Sequence, residues 1–148
     1  ISLQKIFGQI RQSDCEKFVL LLDTCHSGLE IDENMRDITS LMTQDELEEF
    51  FKKSEYYVGF ASCKTDEISH SASALSHGIW SYHLLQALNG EVPKVLLKDK
   101  FITATNLQNY LSIQVPKTAK RYTKTGYQTP IMFGNLSKEF VIADIKKY

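Results

Sequence analysis

The chain has 148 residues, with 17 Lys+Arg against 18 Asp+Glu for a net charge of −1 at pH 7. Hydrophobic residues at 43% and charged residues at 24% describe one globular domain with enough length to bury a core, and exclude a wholly disordered chain. The near-neutral balance argues against nucleic acid as a partner, and the longest apolar run, residues 18–22, is far too short to span a membrane.

In chain order, Ser2 reads as an N-cap, and Leu3, Ile6, Phe7 and Ile10 follow at helical spacing, predicting a helix over 3–12 that breaks at Gln12-Ser13-Asp14. Residues 18–22 (Phe-Val-Leu-Leu-Leu) form an uninterrupted apolar run ending at Asp23, which suits a parallel strand buried on both faces. Residues 26–42 have no clean period and read as a long loop. Thr43 with Glu46 forms a capping box for a helix over 44–53, striped by Leu47, Phe50 and Phe51. Residues 56–61 are a second buried strand, followed by the polar stretch 62–76. A helix over 78–89, with Ile79, Tyr82, Leu85 and Leu88 as its apolar stripe, stops at Asn89-Gly90. Thr105 is the expected cap of a further helix carrying Leu107, Tyr110, Leu111 and Val115, with Pro116 and the basic residues Lys117, Lys120, Arg121 and Lys124 leading into a loop. Residues 139–145 alternate enough to be a last strand. Strands separated by helices predict an α/β sandwich with a mainly parallel sheet. Ligands bind beyond the carboxyl ends of such strands. Residues 23–28 and 62–67 both lie at such ends, so if the two strands are neighbours their loops face one crevice.

Cys25 follows the first strand in Asp23-Thr24-Cys25-His26-Ser27-Gly28. A thiol at a strand's carboxyl end is held rigidly and within reach of solvent, and Gly28 lets the backbone turn close by. This suits a nucleophile, although free cysteine is most often a small buried hydrophobe. Cys15, Cys25 and Cys63 are an odd count without CxxC spacing. They argue against a disulfide framework or a zinc site, and for a reducing, cytoplasmic compartment.

The apolar strand followed by Asp-Thr-Cys-His-Ser-Gly resembles the nucleophile segment of metacaspases and related caspase-like peptidases, which read Asp-x-Cys-His-Ser-Gly; caspases proper have Gln where this chain has Asp23. Gly59-Phe60-Ala61-Ser62-Cys63-Lys64-Thr65-Asp66-Glu67, with Ser76-His77-Gly78-Ile79-Trp80-Ser81-Tyr82-His83-Leu84-Leu85, resembles the strand–loop–helix that follows the nucleophile in caspase-like and paracaspase-like domains. Gln128-Thr129-Pro130 is similar to a Gln-x-Pro element before the final strand. The resemblance implies a caspase-like three-layer sandwich and a thiol protease with a Cys–His dyad acting on peptide or protein substrates. On this chain it makes Cys25 the nucleophile, with its backbone N–H a donor to the developing oxyanion. Asp23, and Glu67 as a further acid, then belong to the pocket for the side chain before the cut bond, with Ser62 lining it. Two carboxylates there imply cleavage after Arg or Lys.

The family's general-base His lies about 50 residues upstream of the nucleophile. Only 24 residues precede Cys25 here and none is His, so the first strands and the His-Gly segment are expected to be missing from this chain. The reading preferred is a fragment; a separate upstream chain is the alternative. His26 is read as part of its loop, His70 as solvated, His77 as a helix-start residue and His83 as lying on a helix flank; none is the expected base. The Asp45, Glu46, Glu48 and Glu49 cluster opens a helix, where carboxylates favour the dipole. No cofactor is required, but calcium stays open there or in the loop of residues 30–37, because metacaspases often need it. Regulatory domains or subunits are further partners the resemblance admits. The competing expectations are an inactive caspase-like scaffold and a redox sensor at Cys25; the second would want a resolving cysteine.

Overall fold

The computed structural model describes residues 9–10, 12–13, 17–23, 56–64, 67–124, 126–134 and 140–145. Its elements are β1 (Lys17–Leu22), β2 (Tyr56–Ala61), β3 (Ser71–Ala72), β4 (His77–Gly78), α1 (Ile79–Leu88), β5 (Leu96–Leu97), β6 (Phe101–Thr103), α2 (Ala104–Tyr122), β7 (Ile131–Gly134) and β8 (Val141–Asp144). The two apolar runs form parallel partners in register, from Lys17 opposite Tyr56 to Leu22 opposite Ala61. The ladder runs on past the strand ends, where the Ser62 N–H donates to the Leu22 carbonyl at 3.0 Å. Asp23 and Ser62 therefore leave the sheet side by side.

β7 lies antiparallel on the other edge of β2, giving the order β1-β2-β7. Gly59 faces Phe133 in this pairing, and a Cβ on Gly59 would stand 2.2 Å from the Phe133 ring, so the far end of the ring lies over the glycine backbone. Residues 57–60 of β2 are all buried, as expected for a strand covered on both faces. β1 is only half-covered, with Leu21 41% exposed, because among the described residues it pairs with β2 alone.

The described residues are α/β as expected, but their strand pairing is mostly antiparallel rather than mainly parallel. Among the described residues only β1–β2 is a parallel pairing; β2–β7, β3–β4, β5–β6 and β6–β8 are antiparallel. The expected last strand exists as β8, yet it closes a separate β5-β6-β8 sheet, pinned at the surface by a 3.1 Å Lys100–Asp144 ion pair. β3 to β7, of two to four residues each, are too short for a hydrophobic period to betray them.

Both described helices also differ in detail from expectation. α1 ends at Asn89-Gly90 as predicted, with Gly90 in the left-handed region at φ +74°. Its buried face, however, is Ile79, Trp80, His83, Leu84 and Ala87, and Leu85 is 43% exposed. The pattern 80, 83, 84, 87 is an ordinary helical stripe that holds a histidine, which a purely apolar template passes over. α2 is capped by Thr103, not Thr105: the Thr103 hydroxyl accepts from the Asn106 N–H at 3.3 Å. It continues through Pro116 to Tyr122 instead of stopping there. Proline costs one helical hydrogen bond, but Val115 and Ala119 on either side of it are fully buried, and their packing carries the helix across. Lys117, Lys120 and Arg121 thus lie on its exposed face and Lys124 just beyond its end.

α1 and α2 pack against each other, and α2 touches β6 and β7. The shared core joins Val58 and Phe60 of the sheet to Trp80, Leu84, Leu107, Leu111 and Val115. Of the predicted helix over 3–12, Gln9, Ile10 and Gln12 are described and helical, and the Ser13 N–H closes it on the Gln9 and Ile10 carbonyls at 3.1 Å. The loop predicted over 26–42 and the helix over 44–53 lie outside the described residues.

Candidate functional site

The expected nucleophile Cys25 lies outside the described residues, as do His26 and Cys15. Outside them too are the acidic positions 30–37 and 45–49 considered for calcium. The described residues reach as far as Asp23, two positions before Cys25. Asp23, first after β1, is exposed, and hydroxyls hold both of its oxygens. Ser69 Oγ donates to Oδ1 at 3.1 Å, and Ser81 Oγ donates to Oδ2. Ser81 lies in the first turn of α1, whose N-cap is Gly78 with no side chain to offer. A Cβ on Gly78 would stand 3.1 Å from Asp23 Oδ2, so the glycine lets the carboxylate approach the helix start, where the backbone dipole favours negative charge.

Ser62 stands at the end of β2 and is fully buried, so it offers its backbone rather than an exposed hydroxyl. Its carbonyl accepts from Gln128 Nε2 at 3.1 Å. The same Nε2 donates to Ser69 Oγ at 3.2 Å, and Gln128 Oε1 accepts from the His70 N–H at 3.1 Å. Gln128 is itself fully buried. Glu67, half-buried, is engaged through both oxygens by Thr129, by its hydroxyl at 2.8 Å and by its N–H. The buried Cys63 thiol donates to the Glu67 carbonyl at 3.4 Å and closes the turn between them.

The histidines separate by environment. His77 is exposed at β4; His70 is half-buried, and its backbone is tied to Gln128 and to the Ile79 N–H at 2.8 Å. His83 was expected on a helix flank, but it is buried between α1 and α2. Its Nδ1 lies 3.1 Å from the Tyr110 hydroxyl and its Nε2 2.8 Å from Thr118 Oγ1. Loss of hydration pushes its pKa below the usual 6.5. Ser81 faces Asp23, and two residues further on the helix has turned about 200°, so His83 points away from the site.

Sequence reasoning singled out Asp23, Ser62 and Glu67, and the structure sets all three around the adjoining ends of β1 and β2. Ser69 and Ser81 were not among them, because a serine in a polar stretch and one in the first turn of a helix carry no pattern of their own. Gln128-Thr129-Pro130 was noticed only as a motif; its two polar side chains prove to be the struts beneath the site. No cluster of His, Cys, Asp and Glu suited to a metal ion, and no helix long and apolar enough to cross a membrane, occurs among the described residues. The chain matches no protein-family model, no curated protein and no solved structure.

Proposed function

We propose that this chain carries the nucleophile of a caspase-like cysteine endopeptidase that cleaves proteins after Arg or Lys in a reducing, cytoplasmic setting. The observation that carries the reading is Asp23: an exposed carboxylate two residues before Cys25, its orientation set by two hydroxyls, at the joint end of two parallel strands. A carboxylate presented in this way suits a guanidinium or ammonium group, which binds it through charge-assisted hydrogen bonds.

In this reading the Cys25 thiolate attacks the peptide carbonyl carbon, and the carbonyl oxygen gains charge beside the Cys25 backbone N–H. An imidazole, which the resemblance puts upstream of the nucleophile, takes the thiol proton and returns it to the leaving amine. The acyl-enzyme forms as the C–N bond breaks. Water, deprotonated by the same imidazole, then releases the acid and restores the thiol. Asp23 fixes the side chain before the cut bond, so binding energy remote from the reacting atoms aligns them.

The test is cleavage of fluorogenic peptides ending in Arg, Lys or Asp by the full-length protein, with and without calcium, beside its Cys25→Ala variant. Release after Arg and Lys that vanishes in the variant is the expected result. Cleavage after Asp alone overturns the specificity, and silence under every condition leaves a scaffold in its place.

A further inference from the structure

From the hydrogen-bond chain beneath Asp23, we infer that Gln128 is a positioning residue for the specificity carboxylate, acting through Ser69. The inference rests on the proposed role of Asp23. Gln128 Nε2 donates to Ser69 Oγ at 3.2 Å, and Ser69 Oγ donates to Asp23 Oδ1 at 3.1 Å.

The direction of this chain is not arbitrary. The two backbone partners of Gln128 have one polarity each: the His70 N–H can only donate, to Oε1, and the Ser62 carbonyl can only accept, from Nε2. They settle which end of the amide faces Ser69, and that end carries hydrogens alone. Ser69 Oγ must therefore accept on the Gln128 side, which leaves its own hydrogen for Asp23. Hydrogen bonds aligned head to tail polarise one another, and Gln128 and Ser69 are 0% and 4% exposed, so bulk water does not compete for their groups. Ser81 holds the second oxygen from α1. The carboxylate is thus oriented from two independent directions, one of them reaching across 59 positions of sequence from Gln128 to Ser69.

Gln128→Glu tests this with little change of shape. In its ionised form the new side chain keeps an acceptor for the His70 N–H and has no hydrogen for the Ser62 carbonyl or for Ser69, so Ser69 turns its hydrogen to position 128 and Asp23 loses it. A crystal structure of the full-length variant should show Ser69 Oγ hydrogen-bonded to the new carboxylate and beyond hydrogen-bonding distance of Asp23. Ser69 still donating to Asp23 overturns the inference and leaves the proposed specificity standing. In peptide cleavage, Gln128→Glu and Ser69→Ala should each raise KM for Arg substrates about five- to tenfold with kcat within about twofold, as befits loss of one hydrogen bond that orients a binding group. Adding Gln128→Glu to Ser69→Ala should cost little more. Ser69→Ala with unchanged KM overturns the inference even if the Gln128 variant does not fold. A fall in kcat alone, or full additivity of the two, does so as well. Unaltered Arg selectivity in Asp23→Asn, by contrast, removes Asp23 itself from the proposed pocket.

Discussion

Both carboxylate oxygens of Glu67 are held by one residue, Thr129: Oε1 accepts from the Oγ1 hydroxyl at 2.8 Å and Oε2 from the backbone N–H. Asp23, by contrast, is exposed, with a serine hydroxyl on each of its oxygens. Two acids that look equivalent in sequence are therefore unequal. Glu67 ties the turn after β2 to the segment leading into β7, and Asp23 is the one presented to solvent.

Different effects of neutralising them follow. Asp23→Asn should lower kcat/KM for Arg substrates by about 10- to 150-fold, the range of a charge-assisted hydrogen bond. Glu67→Gln should lower it less than about tenfold while lowering the melting temperature, because it weakens the bond to the Thr129 N–H. Steady-state kinetics beside thermal unfolding checks both, and equal losses of selectivity would return Glu67 to the pocket.

The Phe133 ring lying over Gly59 makes a size-sensitive joint in the sheet. Gly59→Val should destabilise the fold by about 1–3 kcal/mol through overpacking of the β2–β7 pair. Phe133→Leu should recover part of that loss in the double variant. Denaturant midpoints of the four proteins measure it.

Buried His83 gives stability a pH dependence of known sign. Its pKa is lowered in the folded state from the usual 6.5, so the unfolded chain binds the proton more readily. The contribution is fully present above about pH 6.5, declines as pH falls below that value and levels off once the folded-state pKa is passed. The urea midpoint followed from pH 8 to pH 5 should fall accordingly, and His83→Phe should remove that part of the slope. A midpoint rising towards acid would contradict the assignment.

The cap of α2 separates two neighbouring threonines. Thr103→Ala should cost about 0.5–2 kcal/mol by leaving the Asn106 N–H without its acceptor. Thr105→Ala, at an exposed helical position, should stay within about 0.5 kcal/mol. Chemical denaturation distinguishes them directly.

How far the fold was legible follows from the range of the interactions involved. Residues 18–22 and 56–61 were readable as strands because continuous apolar runs bounded by polar residues encode burial locally, and their ends marked Asp23 and Ser62. The Asn89-Gly90 stop was readable because a positive φ selects glycine. Pro116 misled for the converse reason: the local rule ends a helix there, whereas the buried Val115 and Ala119 hold it together. The stripe of α1 was misjudged because His83 counts as polar until Tyr110 and Thr118 of α2 come to meet it.

By itself, then, the sequence determined the two strand ends, the motif around Cys25, and the acids Asp23 and Glu67 that follow those strands, all of which are written in runs of fewer than ten residues. Only the tertiary structure decided what holds each of those acids and which of them is exposed. Glu67 and Thr129 are 62 positions apart, Asp23 and Ser81 58, and Gln128 and Ser69 59. No local propensity reaches over such separations; the partners meet because β2 lies between β1 and β7, and hydrogen bonds formed across that topology give each carboxylate its part.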